Sequence, residues 1–183
     1  NIAADNYHTL TVTGNVTGSG LVSLSNLGTF EQRVAANKTF GSTGGSSDWT
    51  FGHLIFSNSA GTPVTITFNA GGTGKIADTT FGSSDFQVGK STDTATTTVG
   101  NGTNNRVIDT GDVYISSQGV LQAASTTALF KVNSAWVNNG QFTANTGTVT
   151  FSATGCRTIS GTLNGTSAFN KVLFNGAGGG WTI

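Results

Sequence analysis

Trp136-Val137-Asn138-Asn139-Gly140-Gln141-Phe142-Thr143-Ala144-Asn145-Thr146-Gly147-Thr148-Val149-Thr150-Phe151 sets short phrases between Asn and Gly corners. Within each phrase apolar residues alternate with Thr, Gln or Asn. A period of two puts one side of a strand in a core and the other in water. Gly and Asn at the corners tolerate the positive φ that tight turns need. The pattern spreads outward through Leu10-Thr11-Val12-Thr13, Val64-Thr65-Ile66-Thr67-Phe68 and Val113-Tyr114-Ile115-Ser116. Further corners are Gly14-Asn15, Asn69-Ala70-Gly71-Gly72, Asn101-Gly102 and Asn175-Gly176. Helical spacing is nearly absent, because Gly or β-branched runs interrupt it. The strands are expected to be short, about four to six residues, separated by turn signals.

This reading admits an antiparallel sandwich or a solenoid, and internal repetition decides for the solenoid. Phe51-Gly52-His53-Leu54-Ile55-Phe56-Ser57-Asn58 matches Phe169-Asn170-Lys171-Val172-Leu173-Phe174-Asn175-Gly176. Gly45-Ser46-Ser47-Asp48 recurs as Gly82-Ser83-Ser84-Asp85. The 136–151 run, continued by Ile159-Ser160-Gly161-Thr162 and the Phe169 phrase, resembles repetitive Gly/Thr/Asn-rich bacterial surface proteins of the parallel β-helix type. The match is best over Val113 to Ile183. That resemblance implies cell-surface, adhesive or fibrous roles and no shared catalytic residues.

Composition agrees. Charged residues make up 9% of the chain, against about 25% in ordinary domains. Gly numbers 27, and twelve Phe and three Trp are spread along the sequence. In a solenoid, inward positions stack like on like, and outward Thr, Ser and Asn take the place of charge. Each coil bonds the next at about 4.8 Å. At about 20 residues per coil the expected fold is all-β. It is a single parallel β-helix or β-solenoid domain over residues 1–183, with roughly nine coils and open, uncapped ends.

Net charge is zero, with eight basic and eight acidic residues and no runs. A nucleic-acid partner would need a basic stripe, so none is expected. No apolar run approaches the roughly 20 residues of a membrane-spanning helix, so no membrane insertion is expected. The chain begins without Met, and no signal peptide is read. It is expected to be a processed chain or a segment of something longer.

The junction of the last and first residues has an internal copy. Trp181-Thr182-Ile183 running into Asn1-Ile2 parallels Trp49-Thr50-Phe51 running on to Val64. Natural solenoids carry polar caps, and none is read at either end. Asn1, Ile2, Trp181, Thr182 and Ile183 are therefore the expected assembly interface, with the protein itself as partner. Stacking that does not close into a ring gives a filament. The expected function is structural and extracellular or cell-surface. The alternatives are a segment of a large adhesin binding glycans or a host surface, and a polysaccharide-active enzyme.

Chemistry-bearing residues are sparse, and neither enzymatic activity nor a cofactor is expected. Asp109 and Asp112 form the dense acidic spot, with Arg106 before them. They are weak candidates for acid/base work or a Ca²⁺ site. The competing reading is a turn whose Asp side chains bond local backbone N–H groups. His8 and His53 sit in no metal spacing. Gly71-Gly72-Thr73-Gly74-Lys75 lacks the spacing of a phosphate loop and reads as a corner. Four glycosylation sequons begin at Asn15, Asn37, Asn101 and Asn164. Cys156 is the single cysteine, either a small buried apolar residue or an intermolecular cross-link. The aromatics suit buried ladders better than exposed sugar platforms. Thr-x-Thr pairs are explained by outward strand positions.

Overall fold

The computed structural model describes residues 8–44, 48–69, 75–78, 86–100, 106–124 and 128–183. They form a β-solenoid of stacked parallel strands. The first turn consists of β1 (Thr9–Val12), β2 (Val16–Gly18) and the front of β3 (Val22–Val34). The second takes the rest of β3, then β4 (Lys38–Ser42) and the front of β5 (Trp49–Asn58). The third takes the rest of β5, β6 (Val64–Phe68) and β7 (Ile76–Asp78). The fourth is β8 (Phe86–Val88), β9 (Thr97–Gly100) and β10 (Ile108–Thr110). The fifth is β11 (Val113–Ile115), β12 (Gly119–Gln122) and β13 (Phe130–Val132). The sixth is β14 (Trp136–Asn138), β15 (Gln141–Thr143) and β16 (Thr148–Phe151). β17 (Arg157–Gly161), a 3-10 turn (Gly165–Ser167), β18 (Lys171–Phe174) and β19 (Trp181–Thr182) follow.

Each turn visits three faces in a fixed order. The first face stacks β1, the back of β3, the back of β5, β8, β11, β14, β17 and β19. The second stacks β2, β4, β6, β9, β12 and β15. The third stacks the front of β3, the front of β5, β7, β10, β13, β16 and β18. All these pairs are parallel.

About six turns are present, fewer than the nine expected from about 20 residues per coil. Phe130 stacks on Val149, a step of 19 residues, whereas Ile66 stacks on Val99, a step of 33. Residues added at corners lengthen a turn without adding height. A second difference is strand length. β3 and β5 run 13 and 10 residues. Each serves two faces: Trp49–Phe51 pairs with β7, while Leu54–Phe56 pairs with β8. The third and first faces are continuous in these early turns and separate later. β3 makes the same passage through a register shift between Leu24 and Thr29.

Inward positions stack into ladders. On the first face Phe30, Leu54, Phe86, Val113, Trp136 and Ile159 follow one another. On the second, Ile66, Val99, Leu121 and Phe142 do so. All ten are buried. Aromatic rings gather in two nuclei. The lower one includes Phe40 against Phe56, ring centres 5.0 Å apart and perpendicular. The upper one centres on Trp136, 4.9 Å from Phe142 at 82°. Edge-to-face contacts of this kind add about 0.5–1.5 kcal/mol to area burial.

Polar side chains tie the turns at their corners. Buried Arg106 donates from Nη2 to the carbonyls of Ser42 (2.8 Å) and Asn69 (2.5 Å), which belong to earlier turns. Burial pulls its pKa below the ordinary value. Gly41 lies under the guanidinium with φ +112°, a conformation open to glycine. Buried Glu31 accepts from Ser57 Oγ at 2.5 Å and from Lys90 Nζ at 2.9 Å. Asp93 Oδ2 accepts from the N–H groups of Asn58 (3.1 Å) and Lys90 (2.9 Å). Segment 89–96 is thereby strapped to β3 and β5.

Candidate functional site

Asn15, Asn37, Asp48 and Asp112 each occupy a corner just before a strand. Each side-chain Oδ1 receives the backbone N–H of the residue stacked on the next turn: Thr39 at 3.0 Å, Thr65 at 2.8 Å, Lys75 at 2.8 Å and Ala135 at 2.7 Å. The sequence reading of Asp109-Thr110-Gly111-Asp112 as a locally bonded turn is corrected here. Asp109 Oδ1 accepts from Asn133 Nδ2 at 2.7 Å and pairs with Lys131 at 3.5 Å, also one turn on. The two carboxylates are engaged separately, in bonds that hold turns together. Among the described residues no three His, Cys, Asp or Glu gather as a metal set.

His53 is half-buried on β5 and His8 is exposed ahead of β1. Lys75 pairs with Asp48 at 3.6 Å, and Gly71–Gly74 lies outside the described residues. So do Asn1, Ile2 and the sequon at Asn101. Asn164 is exposed and opens the 3-10 turn without a side-chain bond to it. Cys156 is exposed, which corrects the reading of a buried ladder residue. It precedes β17, where the chain rounds a corner and inward positions have not begun.

Trp49 and Trp136 are buried, as a core ladder requires, and Trp49 Nε1 donates to the Gly20 carbonyl at 2.9 Å. Trp181 is half-buried against Phe151, 4.9 Å between ring centres. The two Trp-Thr phrases occupy different places: Trp49 lies on the third face and Trp181 on the first. Outward Thr residues do stack briefly, Thr39 on Thr67 and Thr65 on Thr98. The ranks then break at Gly100 and Val120.

Among the described residues the large exposed apolar side chains, Leu129 apart, lie at the two ends of the stack. At the upper end Val172 and Phe174 continue third-face ladders above Val149 and Phe151. They stand 40% and 50% exposed, and Ile183 stands 81% exposed. A cavity of about 280 Å³ opens there, lined by Phe151, Ile159, Leu163, Phe169, Val172, Phe174 and Ile183. Phe174 lies nearly parallel on Phe151, at 5.5 Å and 22°. At the lower end a cavity of about 480 Å³ is lined chiefly by Leu10, Val12, Val16, Leu21, Val22 and Leu24. Of the predicted interface residues, Trp181, Thr182 and Ile183 fall at the upper end. Sequence reasoning missed Val172 and Phe174; their place in the Phe169 phrase carried the signal.

Among the described residues no helix is long and apolar enough to cross a membrane. Comparison with protein-family models, curated proteins and solved structures returns no match.

Proposed function

We propose that this chain is a structural β-solenoid of the extracellular space or cell surface that adds further parallel coils at its ends, assembling head to tail into a filament or surface layer. One observation carries the reading. Val172 and Phe174 keep the inward register of buried ladders, yet they are open to solvent. An apolar core beside a parallel strand with one open edge is a template for strand addition.

The first turn of a second copy fits that template. Val22 and Leu24 are the first third-face rungs of that turn, as Val172 and Phe174 are the last. Strand direction is the same at both ends, so stacking would continue the sheets as parallel sheets. A contact between two different surfaces that does not close on itself propagates as an open filament. The two parts of the chain also differ in charge. Residues 113–183 hold Lys131, Arg157 and Lys171 and no acid, so all eight acids lie before them. The resemblance to repetitive bacterial surface proteins supports the location.

Sedimentation velocity and electron microscopy of the purified protein test the proposal. Wild type is expected to form concentration-dependent end-to-end assemblies with an axial repeat of one subunit. The double variant Leu173→Lys, Phe174→Lys should sediment as monomer, with its β circular dichroism retained. A wild type that stays monomeric at all concentrations overturns self-assembly. It would point instead to coils of one longer adhesin chain.

A further inference from the structure

We infer that Asn164 is a site of covalent N-glycosylation, and that the sequons at Asn15 and Asn37 are structural. The inference rests on the extracellular reading, because the modification needs an activated sugar donor outside the cytoplasm. It does not depend on end-to-end assembly.

The three described sequons differ in their backbone. Asn15-Val16-Thr17 runs into β2, which pairs with β4; Asn37-Lys38-Thr39 runs into β4, which pairs with both β2 and β6. A transferase must draw the sequon into its cleft. At these two positions that would break ladder bonds on one or both sides of the strand. Asn164-Gly165-Thr166 lies outside any sheet. Here the second face has no strand, and the 3-10 turn stands in its place. The turn is held by Ser167 N–H to the Asn164 carbonyl (3.0 Å) and Ala168 N–H to the Gly165 carbonyl (3.2 Å). Ser167 anchors it to β15 by accepting from Phe142 N–H at 3.1 Å. Asn164, Gly165 and Thr166 are exposed, and Gly165 takes φ +56° with open space where a Cβ would sit.

The side chains differ too. An amide nitrogen is a poor nucleophile until its C–N bond is twisted out of conjugation. Asn15 and Asn37 hold their amide planes through Oδ1 bonds to Thr39 and Thr65 on the next turn. Twisting them sacrifices those bonds. The Asn164 side chain makes no cap bond. In the transfer, Nδ2 attacks C1 of a sugar carried on a diphosphate. The N–C1 bond forms, the C1–O bond to phosphate breaks, and the diphosphate leaves with the electron pair. One Nδ2 proton passes to the transferase.

Peptide mapping of the native protein decides the matter, because trypsin cuts after Arg157 and Lys171. The peptide from Thr158 to Lys171 should carry a sugar mass. The Val34–Lys38 peptide, which holds Asn37, should not. Asn164→Gln should abolish the increment while leaving sedimentation behaviour and circular dichroism unchanged. An unmodified or merely deamidated Thr158–Lys171 peptide overturns the inference. So does a sugar on the Asn15 or Asn37 peptide.

Discussion

Asparagine at the corners does something other than the sequence suggests. Gly-Asn punctuation reads as a set of residues able to adopt positive φ. Among the described non-glycine residues Asn145 takes positive φ, at 48°; Gly41, Gly89, Gly161, Gly165 and Gly178 are the glycines that do. Asn15, Asn37, Asn58 and Asn138 act through their side chains. Asn58 and Asn138 each accept from the N–H two residues on, at 2.7 and 3.2 Å, closing the turn from the first face to the second. Propensity made the corners legible, but the partner a turn away depends on register, which local sequence does not encode. Glu31 is a similar case. Nothing in its neighbourhood names Ser57 or Lys90 as partners. Burial pushes its carboxyl up, yet the bonds from Ser57 and Lys90 outweigh this and hold its pKa below the ordinary 4.5. A carboxyl depressed in the folded state stabilises above its unfolded pKa and loses that contribution as pH falls through the folded value. Wild-type stability in urea should therefore fall as pH drops below about 4.5. Glu31→Gln should be less stable than wild type at pH 7, and its stability should depend less on pH over the same range.

At the scale of the strand, alternation gave both the elements and their inward sides. Trp136–Asn138, Gln141–Thr143 and Thr148–Phe151 appear where the 136–151 pattern places strands, whereas Phe130–Val132 was not read. What stayed hidden was the passage of β3 and β5 across two faces. Phe51-Gly52-His53-Leu54 keeps strand geometry through the bend because Gly52 has no side chain to direct at either face. The Phe51 and Phe169 phrases match in text but not in place, since Phe56 lies on the first face and Phe174 on the third. All three faces draw on the same few residue types, so textual repeats need not mark structural ones. The corner bonds between turns give a direct measure of an element's tie to its neighbour. Asn37→Ala removes the acceptor for Thr65 N–H at the edge of β6. Loss of one such bond should cost about 0.5–1.5 kcal/mol in denaturation. Amide exchange at Thr65 should quicken, while exchange in β12 and β15 stays as in wild type.

Over the whole molecule, the fold class followed from period, corners and lack of charge. The number of turns did not. Corner insertions such as the strap at 89–96 are written in the same Ser, Thr and Gly as the strands' outward faces, so composition cannot separate height from girth. The two aromatic nuclei were visible as Phe and Trp density. Their separation by Val88, Val99, Ile108, Val113, Ile115 and Leu121 needed the stacking order. The open ends were read from Trp181 and Ile183, whereas the register that gives them meaning lies in Val172 and Phe174.

Unequal turns give this stack a mechanical signature. Each turn is tied to its neighbours by bonds running along the axis, so a force applied at the two chain ends peels turns singly rather than shearing the stack at once. A released turn of 19 residues adds about 65 Å of contour, and one of 33 adds about 115 Å. Single-molecule pulling should therefore give a sawtooth whose tooth spacings differ. The long teeth should come from turns through β6 and β9, and the short ones from turns through β13 and β16. Evenly spaced teeth, or one all-or-none rupture, would mean that the turns do not yield separately. The extension trace would read out the girth of each layer in the order in which the layers fail.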